Sequence, residues 1–188
     1  GRPAPTFADV YRMYCDSEDG GRGDSLAAAM EKLFLFEIFE PDARKMQSLY
    51  ELLNGVVVVD LSGYDPDIQS LVVEMTLNLF YAQMQAAGSS CISGGFRELT
   101  KMILVDEADH FMSEGYPSLK KILKEGREFG VGVILSTQFL RHFHAEDDEY
   151  AKYILTWVVH NVSDLRQGDV DFVFRTQSGS TAGKALYE

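Results

Sequence analysis

The sequence predicts an α/β fold in which helices flank a parallel sheet. Two observations carry that expectation. Short apolar runs recur at residues 56–59 (VVVV, ending at Asp60), 102–105 (MILV, running into Asp106) and 131–136 (VGVILS). Each is too short for a helix, and buried strands of a parallel sheet read as continuous apolar runs. Stretches with apolar residues at helical spacing separate them, and such alternation marks parallel βαβ units.

The elements follow in order. Residues 1–47 read as a helical lead-in, with Phe7, Val10, Tyr11 and Tyr14 at the spacing of a short helix. Residues 15–25, CDSEDGGRGDS, have the Gly, Asp and Ser content of a mobile surface loop. Its tripeptide Arg22-Gly23-Asp24 resembles an adhesion motif, but a match this short arises by chance. Asp24 or Ser25 can cap the next helix, LAAAMEKLFLFEIF, which is expected to end before Pro41. Residues 48–162 carry the strand and helix alternation. Residues 56–59 are expected to form a central strand. Gly63 supplies a turn, Asp65 a cap, and Pro66 suits a first helical position. The helix from Pro66 to about Ala87 has Ile68, Leu71, Val72, Met75 and Leu79 at helical spacing, with Val73, Leu77 and Phe80 on other faces. It is expected to be largely buried. Residues 88–95, GSSCISGG, read as a flexible connection. A helix near residues 117–129 should turn Leu119, Ile122 and Leu123 inward. After a polar crossing, residues 154–159 should include a fourth strand, and residues 163–188 form a polar tail.

Composition narrows the function classes. The 188 residues amount to one domain with a real core. No uncharged apolar stretch of about 18 residues is present, so no membrane span is expected. No signal-peptide pattern opens the sequence, and Cys15 and Cys91 lie far apart among polar residues. Both features predict a reducing, cytoplasmic setting. The net charge of -12 argues against a broad nucleic-acid surface. Any DNA contact is expected to be local or made through other regions.

The chemistry concentrates at KMILVDEADHFMSE, residues 101–114. Ligands of parallel α/β sheets sit beyond the carboxyl ends of the strands, where Asp106 and Glu107 fall. Asp106 can hold a magnesium ion, through water, because magnesium keeps several of its waters. Glu107 can orient and deprotonate an attacking water. The bland alternative is two charges at a strand end with no role. The segment EGREFGVGVILSTQ, residues 125–138, ends its own strand in Ser136, Thr137 and Gln138. On an adjacent strand, Gln138 would lie near the same edge, where its amide can bond a γ-phosphate or the water. Gly126, Gly130 and Gly132 allow close helix-to-strand packing. Arg127 ends the preceding helix, where a cation is also favoured by the helix dipole alone.

A triphosphate needs a cradle as well. A phosphate loop reads Gly-x-x-x-x-Gly-Lys-Ser/Thr between a strand and a helix. The one Gly-Lys pair is Gly183-Lys184. Its first glycine position is Ser178, and Ala185 follows the lysine and cannot ligate magnesium. The sequence therefore carries the hydrolysis half of a nucleotide site without the binding half.

Taken together, VVVVDLSG, ILVDEAD, EGREFGVGVILSTQ and LTWVVHNV resemble the HerA/FtsK group of hexameric DNA-pumping ATPases over roughly residues 48–162. The wording DEADHFM, EGREFGVGVILSTQFL and LTWVVH is similar to the subfamily that serves bacterial DNA phosphorothioation-dependent restriction. The resemblance implies a RecA-like sheet, here as an incomplete ATPase core, with ATP and Mg2+ as substrate and cofactor. It implies that Asp106 and Glu107 are the Walker B pair, Gln138 the sensor glutamine, and Arg127 an arginine finger reaching a neighbouring subunit. It further implies a homo-hexamer around DNA and other restriction-complex subunits as partners. The missing Walker A loop departs from the pattern.

Two other readings compete. Residues 106–109 spell DEAD, and Ser136-Thr137 stands where RNA helicases of that name carry Ser-Ala-Thr. The upstream helicase motifs Pro-Thr-Arg-Glu-Leu-Ala and Thr-Pro-Gly-Arg are absent. A non-catalytic assembly module derived from an ATPase would also lack a cradle. His142 and His144, followed by Glu146, Asp147 and Asp148, are a loose match to a metal site and more ordinary as a solvated face. His110 can simply pack, and Trp157 reads as core.

Overall fold

The computed structural model describes residues 5–17, 24–108, 115–138 and 150–160, with Gly168, Asp171 and Val173. Arg22, Gly23, His110, His142, His144, Glu146, Asp147, Asp148, Gly183 and Lys184 lie outside the described residues, as does most of 163–188. The chain divides into two compact units, residues 1–69 and 70–188.

The first unit is helical. Helix α1, Phe7–Cys15, opens on a reciprocal cap: the Thr6 hydroxyl accepts from the Asp9 amide at 3.2 Å, and the Asp9 carboxylate accepts from the Thr6 amide at 2.9 Å. Helix α2, Ser25–Leu35, is capped by Asp24, which accepts from the Leu26 and Ala27 amides. The Tyr14 hydroxyl also donates to Asp24. Tyr11 stacks on Phe34 with ring centroids 5.1 Å apart, tying α1 to α2. Helix α2 stops short of the expected Phe39, because Glu37 adopts a left-handed φ of 49° and its amide bonds back to Phe34 O. A short helix, α3, spans Leu49–Leu52.

Residues 56–59 are a correction to the expected central strand. They join no ladder among the described residues, and Val56 and Val58 are 97% and 83% exposed. β-Branched residues favour a strand only where another strand supplies bonds and a packing face, and none does here. The turn that follows is ordered. Asp60 accepts from the Ser62 amide at 2.9 Å, and the Gln69 side chain donates to Leu61 O and Tyr64 O. Helix α4, Pro66–Ala87, begins at the expected proline, with Asp65 accepting from the Ile68 amide at 3.2 Å. Lys32 pairs with Asp65 at 2.8 Å.

Within the second unit, the rest of α4 is buried along one stripe rather than largely buried. Leu77, Phe80 and Met84 form its buried stripe, while Met75 and Leu79 are exposed. Both sets have helical spacing, and periodicity alone does not choose between them. A hairpin follows, strands β1 (Ile92–Ser93) and β2 (Phe96–Arg97), antiparallel about Gly94-Gly95. It begins within residues 88–95, which read as a flexible connection. Next comes one parallel βαβ unit: β3 (Lys101–Val105), helix α5 (Pro117–Glu125) and β4 (Val131–Leu135). Strands β3 and β4 pair in full register from Lys101↔Val131 to Val105↔Leu135. This is a mixed helix and strand fold with a small parallel sheet, α/β at that level.

Leu119 and Ile122 of α5 are each 1% exposed. The sheet face carrying Met102, Leu104 and Ile134 is exposed. Where α5 begins, the Ser118 hydroxyl donates to Glu74 at 2.9 Å, and the buried Tyr150 hydroxyl donates to Tyr116 O at 3.4 Å. Residues 154–159 form no strand among the described residues. Leu155 and Val158 are exposed, and Trp157 is half-buried. Among the described residues no helix is long and apolar enough to cross a membrane.

Candidate active site

The carboxyl ends of β3 and β4 are joined past the last ladder pair. The Ser136 amide donates to Val105 O at 2.9 Å, and Ser136 O accepts from the Ala108 amide at 2.8 Å. A regular parallel ladder would return that second bond from Glu107. The chain has left the strand here: residues 106 and 107 form a turn, and Glu107 lies in it. Glu107 takes a left-handed φ of 49°, a conformation that costs a non-glycine residue about 1–2 kcal/mol. Fully buried Ala108 anchors the turn on the far side, and the turn carries the carboxylate pair.

The structure brings Asp106, Glu107 and Gln138 to one end of the sheet. All three side chains are exposed. Among the described residues no group of three or more His, Cys, Asp or Glu is placed to hold a metal ion. Magnesium at triphosphate sites takes one or two carboxylates and fills its shell with phosphate oxygens and water. Asp106 fits the part of that one carboxylate.

Arg127 is not with them. It lies on a 3-10 turn, Gly126–Phe129, that leads into the amino end of β4. The intervening strand is 5 residues, about 16 Å at the usual rise per residue. Gly126 is buried, and a Cβ there would lie 3.2 Å from Val131 O, so it lets the turn close on the strand. The other two glycines do different jobs. Gly132 lies under Met102 and Leu99. Gly130, at φ 70°, lies against the stem of the β1–β2 hairpin.

That hairpin was the part sequence reasoning missed, and its signal was present. Gly94-Gly95 between Ile92-Ser93 and Phe96-Arg97 is a two-residue turn, and both glycines take positive φ, as such a turn requires. The stems reach the Arg127 turn. The Ser90 amide donates to Glu128 O at 3.2 Å, the Ser89 hydroxyl donates to the Glu128 carboxylate at 3.1 Å, and the Thr100 amide donates to Gly130 O at 2.7 Å. No family model matches the chain, and no curated protein matches it.

Proposed function

We propose that this chain is the hydrolysis half of an ATP-driven DNA translocase of the HerA/FtsK kind, closest in wording to the DptH-type ATPases of phosphorothioation-dependent DNA restriction. One observation carries the reading: adjacent carboxylates on the turn at the carboxyl end of a parallel strand, with a glutamine just past the end of the neighbouring strand. Asp106 holds magnesium, whose bound charge offsets that of the phosphates. Glu107 takes the proton of the attacking water, and Gln138 hydrogen-bonds that water or the γ-phosphate. Arg127, at the other end of the sheet, serves a neighbouring subunit of a homo-hexamer. The phosphate cradle comes from a segment outside this sequence, DNA and further restriction-complex subunits are the partners, and the setting is cytoplasmic.

Backbone N–H groups and a lysine supply most phosphate affinity at such sites. Calorimetry of this chain with ATP and magnesium should therefore show no micromolar binding. Micromolar binding would reinstate Gly183-Lys184 as a cradle. The missing cradle equally favours a non-catalytic assembly module. Turnover separates the two. In the assembled ATPase, meaning this chain together with the segment that supplies its cradle, Glu107→Gln stops hydrolysis on our reading and changes nothing on the other.

A further inference from the structure

We propose that Thr100 is a positioning residue for Arg127, acting through residues 126–130, which the hairpin stem clamps. The proposal rests on the reading of Arg127 as the arginine that neutralises phosphoryl charge.

The backbone around Arg127 is fastened on each side. Its own carbonyl accepts from the Gly130 amide at 3.3 Å. Gly126 is buried against Val131. Glu128 is held twice by Ser89 and Ser90. The Thr100 hydroxyl lies 3.2 Å from both Phe129 O and Gly130 O and donates to this pair. Gly130 O also accepts from the Thr100 and Lys101 amides, at 2.7 and 3.3 Å. The stem itself is braced, because the Arg97 guanidinium donates to Ser90 O at 2.8 Å and the Glu98 amide to Cys91 O at 2.9 Å. The approach is close enough to require glycine: a Cβ on Gly130 would lie 2.3 Å from Glu98 O and 2.7 Å from the Ser90 hydroxyl.

Within this clamp, the Arg127 side chain is exposed and makes no salt bridge among the described residues. A cation serving only the dipole of its own helix needs no defined direction, since that attraction falls off over one turn without orientation. An arginine that meets a transferring phosphoryl group does need one, because misplacement by about 1 Å can cost on the order of a hundredfold in rate. The clamp fixes the backbone from which that side chain extends. Its one side-chain hydroxyl aimed at the turn's own carbonyls is that of Thr100.

Thr100→Val keeps the branching and volume and removes only the hydroxyl, so the fold is retained. In the assembled ATPase we expect it to lower kcat about tenfold with KM for ATP unchanged. Thr100→Ser should restore turnover to near wild type. In an Arg127→Ala background, Thr100→Val should cost nothing further. If Arg127→Ala cuts turnover while Thr100→Val does not, this proposal falls and the reading of Arg127 stands. If Thr100→Val costs as much with Arg127 removed as with it present, Thr100 acts elsewhere and the proposal also falls. If Arg127→Ala itself keeps full turnover, the reading of Arg127 fails first and takes the proposal with it.

Discussion

At its carboxyl end, the β3–β4 pair is held by two backbone bonds through Ser136, with Glu107 in a strained left-handed conformation and every candidate side chain exposed. Its amino end is clamped through the hairpin stem, with a glycine at the closest approach. One end carries strain on a non-glycine residue. The other places glycine where the backbone turns left-handed. Glycine avoids the left-handed penalty, so Glu107 carries a cost that Gly130 does not. The carboxyl end presents exposed carboxylates, and the amino end fixes the backbone that carries Arg127.

Substitutions can break that contrast. The largest effect is expected from Arg127→Ala, a loss on the order of a thousandfold in turnover, read by steady-state hydrolysis with circular dichroism to confirm folding. Full activity would reduce Arg127 to a helix-end cation. Glu107→Gln should cost about a hundredfold or more while nucleotide stays bound, measured by turnover beside nucleotide retention. Near wild-type turnover would remove Glu107 as the base.

Two backbone changes sharpen the comparison without chemistry. Gly130→Ala should destabilise the chain by about 2–4 kcal/mol, from left-handed strain and overpacking against the stem. Glu107→Gly should change stability by less than about 1 kcal/mol, since relief of strain offsets the entropy of glycine. Chemical denaturation reads both, and equal costs at the two positions would erase the difference.

The smallest effect is expected in the first unit. The Tyr14 hydroxyl, then the Leu26 amide, hold the Asp24 carboxyl below its usual pKa. A depressed carboxylate contributes stability above its unfolded value, near pH 4, and loses it as pH falls through the lower folded value. Thermal melts from pH 5 to pH 2 should show Asp24→Asn with a shallower acid decline than wild type. Parallel declines would mean that Asp24 is not the group responsible.

Part of this was legible in the sequence. Pro66, the Asp24 and Asp65 caps, strands β3 and β4, and buried Leu119 and Ile122 follow from local signals. Residues 56–59 and 102–105 look alike as apolar runs, yet only the second is paired. A ladder partner is a non-local fact that an apolar run does not encode. The buried stripe of α4 was ambiguous for a related reason, because two sets of residues share helical spacing and packing chooses. At the candidate site, Asp106, Glu107 and Gln138 were readable because they end apolar runs. The left-handed turn at Glu107 was not, since it depends on which amide meets Ser136 O. The clamp on Arg127 was equally hidden, as its residues are serines, a threonine and a glycine with no motif among them.

On the proposed reading, one chain contributes a base from one end of its sheet and an arginine from the other, to two different nucleotide sites. Mixing Arg127→Ala subunits with Glu107→Gln subunits in the assembled ATPase, with subunit exchange verified by label transfer, tests it most directly. Some interfaces in such a mixture pair an intact base with an intact arginine. We expect hydrolysis to rise clearly above that of either variant alone. A mixture that exchanges freely and stays at the level of the separate variants would contradict the claim.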